Sequence, residues 1–162
     1  MSKRNLYMVQ VDQMYTGMTF QSAYLPYAVG LLVANAFQEE KVRHAYEMRE
    51  FLILREDTDR VMERIENPAV VGFSCYVWNT EYNKRLAEKI KAKYPECLIV
   101  FGGHNVPPDT QMLEQFPFID VLIHGEGEIP FRALLTELLE DAPDLSKVPS
   151  LSFRRDDGSL ER

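Results

Sequence analysis

Residues 69–103 read AVVGFSCYVWNTEYNKRLAEKIKAKYPECLIVFGG, and the changes of period within them decide the fold. AVVGFS is continuously apolar at strand length, the mark of a strand buried on both faces. TEYNKRLAEKIKAKY then switches period: Tyr82, Leu86, Ile90 and Tyr94 fall four apart on one stripe, with Lys, Arg and Glu elsewhere. CLIVFGG returns to an unbroken apolar run. A buried strand, an amphipathic helix and a second buried strand form a right-handed crossover between parallel neighbours.

The same alternation extends in both directions. Toward the N-terminus, Asn5 to Val11 reads as a first strand, with Leu6, Met8 and Val9 as its apolar bulk. A polar and aromatic loop, DQMYTGMTFQSAYL, follows. Pro26 suits the first turn of a helix through PYAVGLLVANAF, where its missing N–H costs nothing. That helix is apolar nearly all round, which predicts a packed central element. A weaker strand is expected around His44 to Met48. DTDRVMERIEN reads as a short amphipathic helix capped by Asp57 or Thr58. Toward the C-terminus come a short helix through Met112 and Leu113, a fifth strand in IDVLIHG, and a closing helix. The last spaces Phe131, Leu134, Leu135, Leu138 and Leu139 at helical intervals. After DAPDLSKVP, the segment SLSFRRDDGSLER reads as an extended piece with a polar turn at Asp157–Gly158.

These elements predict an α/β fold of Rossmann-like or flavodoxin-like type. It is doubly wound around a mostly parallel five-stranded sheet of order 2-1-3-4-5, with helices on both faces. The domain is expected to span 1–142, with 143–162 as a linker or extended tail. In such a sheet the ligand crevice lies beyond the carboxyl ends of the strands, where strands one and three diverge.

Charge and composition exclude several classes. The formal charge, 18 − 25 = −7, argues against nucleic acid as a partner. No apolar run approaches the roughly 20 residues that span a bilayer, so no membrane association is expected. The start, MSKRNLYMVQVDQ, has no signal-peptide core, and the chain reads as cytoplasmic. Cys75 and Cys97 lie in apolar stretches without CxxC spacing and read as reduced, buried thiols. His44, His104 and His124 are scattered, and no zinc set is expected from them.

The strand-end loops carry the chemistry. After the third strand comes SCYVWN (Ser74 to Asn79), after the fourth GGHNVPPD (Gly102 to Asp109), and after the fifth HGEGE (His124 to Glu128). They offer glycines, aromatics and neutral hydrogen-bonding groups, with no Lys or Arg. Neither GxxxxGK[ST] nor a GxGxxG after the first strand is present, and the acidic fifth loop would repel a polyphosphate. A phosphorylatable Asp after the third strand is also missing. What fits is a large, flat, mostly uncharged ligand. For Glu126 and Glu128, three roles stand open: catalytic acid, helix start, or hydrogen-bond acceptor for a ligand.

The ordered set GFS…WN…P…GG…D…GEGE, from about Tyr24 to Leu139, resembles the N-terminal cobalamin-binding domain of class B radical S-adenosylmethionine enzymes. The resemblance implies a Rossmann-like module holding cobalamin, its nucleotide-bearing tail threaded among the strand-end loops. Carried over by position, Ser74 would bond the tail nucleotide, and Gly102 and Gly103 would give it backbone clearance. The turn of Gly125, Glu126, Gly127 and Glu128 would touch the nucleotide or its ribose. Tyr76, Trp78 and Asn79 would edge the corrin, and His104 is placed to meet a ligand. Two departures stand out. The DxHxxG signature of other cobalamin domains is absent, since DQMYTG follows the first strand. No CxxxCxxC occurs either. Either an iron–sulfur cluster and S-adenosylmethionine chemistry would belong to a C-terminal radical domain of a longer protein, the favoured reading, or the chain is a stand-alone binding module.

Each residue also has a plainer reading. Ser74 can bond its own turn, the Gly102–Gly103 pair can serve a tight strand–helix connection, and Trp78 can pack on a rim. His124 reads as a satisfied near-core histidine, and Cys75 as a small buried hydrophobe. The rival whole-chain readings are a cofactor-free flavodoxin-like interaction domain and a small hydrolase using Glu126 or Glu128.

Overall fold

A computed structural model describes residues 3–12, 25–155 and 157–162. In chain order the elements are β1 Arg4–Val9, α1 Tyr27–Ala36, α2 Glu40–Ala45, β2 Tyr46–Leu52, α3 Thr58–Arg64, β3 Pro68–Ser74 and α4 Thr80–Lys93. They continue with β4 Leu98–Gly102, α5 Gln111–Gln115, β5 Val121–Ile123, α6 Glu128–Glu137, β6 Leu151–Arg154 and β7 Leu160–Glu161. A single sheet runs β2-β1-β3-β4-β5-β6-β7. Its first five strands are parallel in the expected order. β1 and β3 are hydrogen-bonded neighbours, and the chain leaves them in opposite directions along the sheet, which makes the crevice above them.

The expected count of five strands is corrected to seven. Residues 151–154 alternate Leu151, Ser152 and Phe153, and they pair antiparallel with β5. β7 then pairs with β6 across the turn at Asp157–Gly158. Without β6, the wholly apolar β5 would be an open edge inviting other strands. With it, Leu151 and Phe153 are buried and the edge moves to β7, which is only two residues long.

Two other expectations needed adjustment. Residues 40–45 form α2, and β2 therefore begins later than His44. Helix α1 is apolar on every side but buried on only one: Val29, Val33 and Ala36 are covered, whereas Tyr27 and Leu31 are 69% and 40% exposed. At α3 the Asp57 carboxylate caps the helix, accepting from the Asp59 amide at 2.8 Å.

The sheet separates two apolar cores. One lies against α3, α4 and α5 and contains Phe73, Phe101, Leu86, Ile90 and Leu113. The other lies against α1, α2 and α6 and contains Met8, Val29, Val100, Phe131 and Leu134. Alternation along β3 sends Val71, Phe73 and Cys75 to the first and Val70, Gly72 and Ser74 to the second.

Candidate cofactor-binding site

A cavity of about 660 Å³ opens at the carboxyl ends of β1, β3, β4 and β5, on the α1/α6 face. Two rungs of the sheet form its wall. In the deeper rung Met8 pairs with Gly72, and Gly72 with Val100. In the rung above, Ser74 pairs with Gly102, and Gly102 with Ile123. Val29 and Leu32 of α1 and Phe131 of α6 complete the enclosure, and Tyr76, His104 and the turn 125–128 stand at the mouth. The depth comes from missing side chains. A Cβ on Gly102 would stand 3.6 Å from Ile123 Cβ, an ordinary contact, so the protein tolerates a side chain there and the bare position leaves the space to a ligand.

Eight of the ten residues singled out from the sequence line this cavity: Ser74, Tyr76, Gly102, Gly103, His104, Gly125, Glu126 and Gly127. Ser74 is 8% exposed, and its hydroxyl has no partner among the described residues. A buried hydroxyl facing a cavity is a group awaiting a hydrogen bond. Tyr76 stacks on Trp78 at 4.7 Å and on His104 at 5.6 Å, joining two strand-end loops in one aromatic ledge. Trp78 forms the outer end of that ledge, outside the cavity lining, and its carbonyl accepts a hydrogen bond from the Arg55 guanidinium.

Asn79 has a different place from the corrin edge expected for it. It is fully buried, and its amide is consumed by the protein. Nδ2 donates to the carbonyls of Val11 and Ser74, both at 3.0 Å, and Oδ1 accepts from the Tyr76 amide at 2.8 Å. Asn83 donates to the same Ser74 carbonyl at 3.2 Å. Asn105 Nδ2 donates to Thr80 Oγ1 at 2.7 Å, tying the β4 loop to the same cluster. Asn79 thus fixes the ends of β1 and β3 relative to each other, beneath the ledge.

Several glycines have reasons within the fold. Gly103 has φ +106°, and a Cβ there would stand 2.8 Å from the Cys75 carbonyl oxygen. Gly125 has φ +70°, and a Cβ on Gly127 would press Leu32 at 3.0 Å, where α6 crosses α1. The left-handed backbone at Gly125 and the close approach of the Leu32 side chain to Gly127, rather than a ligand alone, account for the glycines on either side of Glu126. Glu128 opens α6, where the helix dipole favours a carboxylate, and Pro130 sits in the first turn. Glu126 is exposed at the mouth.

The remaining candidates have structural roles. Burial pushes the Cys75 and Cys97 thiols up to about 12, so both are inert neutral groups. His124 Nε2 lies 2.8 Å from Ser152 Oγ on β6, and burial holds its imidazole below the ordinary range. Among the described residues no group of three or more His, Cys, Asp or Glu is placed to hold a metal. The loop DQMYTG lies almost wholly outside the described residues.

Sequence reasoning missed Met8, Val29, Leu32, Gly72, Val100, Ile123 and Phe131 because they obey core periodicity. The available signal was Gly72, a glycine in mid-strand, which commonly marks close approach of another group. Here that group is the Met8 thioether: a Cβ on Gly72 would stand 2.8 Å from its sulfur.

Against known proteins, residues 16–135 match the family model described as B12 binding domain. The chain belongs to the B12-binding domain family. It is 41% identical over 133 residues to the cobalamin-dependent radical SAM methyltransferase TokK of Streptomyces tokunonensis, covering 82% of this chain and 20% of that protein. It is 39% identical over 132 residues to the 2-(S-pantetheinyl)-carbapenam-3-carboxylate methyltransferase of Streptantibioticus cattleyicolor, covering 81% and 19%. The chain therefore spans about a fifth of the length of these relatives. Among solved structures, the radical S-adenosylmethionine methyltransferase TsrM of Kitasatospora setae, with cobalamin and a [4Fe-4S] cluster, superposes with TM-score 0.67 at 20% identity. That match covers 97% of this chain and 30% of TsrM. The radical enzyme OxsB with aqua-cobalamin gives TM-score 0.71 at 17% identity, covering 98% and 22%. These likenesses establish the shared Rossmann-like fold.

Proposed function

We propose that this B12-binding domain holds cobalamin across the α1/α6 cavity and its aromatic ledge, as the cofactor-binding part of a longer radical S-adenosylmethionine enzyme. The observation that carries the reading is the cavity itself, which combines a Ser74 hydroxyl without a partner among the described residues with the side-chain-free positions Gly72 and Gly102. The donor set fits the group. A flat macrocycle fringed by neutral amides and bearing a narrow nucleotide tail needs a broad ledge, neutral polar partners and a deep slot. Tyr76 and Trp78 present a flat apolar surface, Ser74 donates to the tail nucleotide, and Glu126 accepts from ribose hydroxyls or amide N–H groups at the mouth. Asn79 acts beneath them in the fold alone, tying the ends of β1 and β3 together.

When bound, cobalamin supplies a cobalt centre able to carry a methyl group or assist radical chemistry. This chain has no CxxxCxxC, so the iron–sulfur cluster and S-adenosylmethionine fall to a further domain, and methyl transfer is the activity proposed for the whole. The relatives named above, roughly four times as long, support that division. A chain that had kept the fold and lost the cofactor would have no constraint keeping Gly102 bare, which weighs against the interaction-domain reading.

Titration of the purified chain with hydroxocobalamin tests the proposal. A shift in the corrin absorbance and co-elution of colour with protein on gel filtration are expected. A Ser74→Tyr variant, placing a ring in the upper rung, should abolish both. No spectral change and no retention by the unmodified protein would refute the reading.

A further inference from the structure

Resting on the cobalamin reading above, we infer that the deeper rung of the cavity selects among corrinoids by the chemistry of their lower base, accepting an apolar benzimidazole and discriminating against a purine. Corrinoids share one macrocycle and differ in the aromatic base at the end of the nucleotide tail. That base is the narrow, flat, weakly polar part of the molecule. The macrocycle, fringed by amides, needs polar partners at every edge.

The cavity is graded to match. At the mouth stand Glu126, His104 and Tyr76, and one rung below them the Ser74 hydroxyl. One rung deeper there is no polar side chain among the described residues, only Met8, Gly72 and Val100, walled by Val29 and Phe131. The backbone amides and carbonyls of that rung are used within the sheet ladder, since β1, β3 and β4 pair on both sides of it. Among the described residues nothing at that depth can donate to ring nitrogens or accept from an exocyclic amine.

Gly72 and Met8 set this floor jointly. A Cβ at Gly72 would collide with the Met8 sulfur at 2.8 Å and its methyl at 2.9 Å, so the thioether lies flat across the glycine. The floor is a soft, polarisable surface, suited to contact with an aromatic ring. Benzimidazole presents a hydrocarbon edge to such a floor. Adenine would bury an amine and ring nitrogens without partners, and groups stranded in this way reduce binding on the order of tenfold to a hundredfold.

The test is a binding panel on the unmodified chain, read by corrin absorbance and by retention on gel filtration. Its members are cobalamin, the corrinoid carrying adenine as lower base, and cobinamide, which has no nucleotide tail. Cobalamin is expected to bind at least tenfold more tightly than either of the others. Equal affinity for cobalamin and the adenine form would overturn the selection while leaving cobalamin binding intact. Equal affinity for cobinamide would show that the floor takes no base at all. Failure of all three to bind would remove the proposed function, and the inference with it.

Discussion

The two faces of the sheet are built from the same kinds of residue and come to different ends. Opposite the cavity, β3 and β4 send Phe73 and Phe101 into contact at 4.9 Å, and α4 closes over them with Leu86 and Ile90. On the α1/α6 face the same two strands present Gly72, Ser74, Val100 and Gly102, and α1 and α6 stand over a space rather than a plug. One face is filled by the protein's own side chains. The other is filled in the same way by residues such as Val70, Leu134 and Leu135, and is left open only toward the carboxyl ends of the strands. A ligand crevice here is therefore a local suspension of core packing, written into alternate positions of two strands, and not an addition to the surface.

Truncation separates the faces most sharply. Phe101→Ala on the closed face should lower unfolding free energy by about 3–5 kcal/mol in urea denaturation, while hydroxocobalamin affinity per folded molecule stays unchanged. A matching loss of affinity would mean that the two faces are not independent.

Next in size is Asn79→Ala. It strands the Tyr76 amide and the Val11 carbonyl and should cost about 3 kcal/mol, with affinity falling only as the folded fraction falls. An unaltered melting temperature combined with lost binding would return Asn79 to direct contact with the cofactor.

Ser74→Ala should do the reverse. Its hydroxyl has no partner to lose among the described residues, so stability should change by less than about 0.5 kcal/mol. Affinity for hydroxocobalamin should weaken by a factor of about ten, the worth of one hydrogen bond. If stability rather than affinity drops, the hydroxyl serves the fold.

The smallest effect concerns the far edge of the sheet. Burial lowers the His124 pKa in the folded protein, so the unfolded chain takes up the proton first as pH falls below the ordinary imidazole value of about 6.5. Stability is then drawn down across the interval between that value and the lower folded one, and it is fully present above it. His124→Gln should flatten the dependence of melting temperature on pH between about 7 and 5. An unchanged slope would place the titrating group elsewhere.

How much of this was legible in the sequence follows the same division. The buried strands β3 and β4 and the stripe of α4 were readable because continuous apolar runs and four-residue spacing admit few other structures. For β6 and β7 the extended character and the polar turn were readable, but not their place in the sheet, because LSFR and LE are too short and mixed to declare a partner. In the site, the loop residues could be read from composition and order. The floor could not, since Met8, Val100 and Phe131 look like any other core residues until the absence of a filling side chain is seen. Asn79, expected at the corrin edge, lies in a buried hydrogen-bond cluster, and an asparagine in a binding motif has the same sequence signature as one in such a cluster.

Gly103 carries a consequence for tracing descent. Its positive φ and its contact with the Cys75 backbone are demands of the folded chain alone, so a descendant that ceased to use the cofactor would still be obliged to keep it. The glycine would persist as a relic, reporting ancestry and nothing about present use. Gly102 and Ser74, which the fold does not require, are the positions where disuse would first be written.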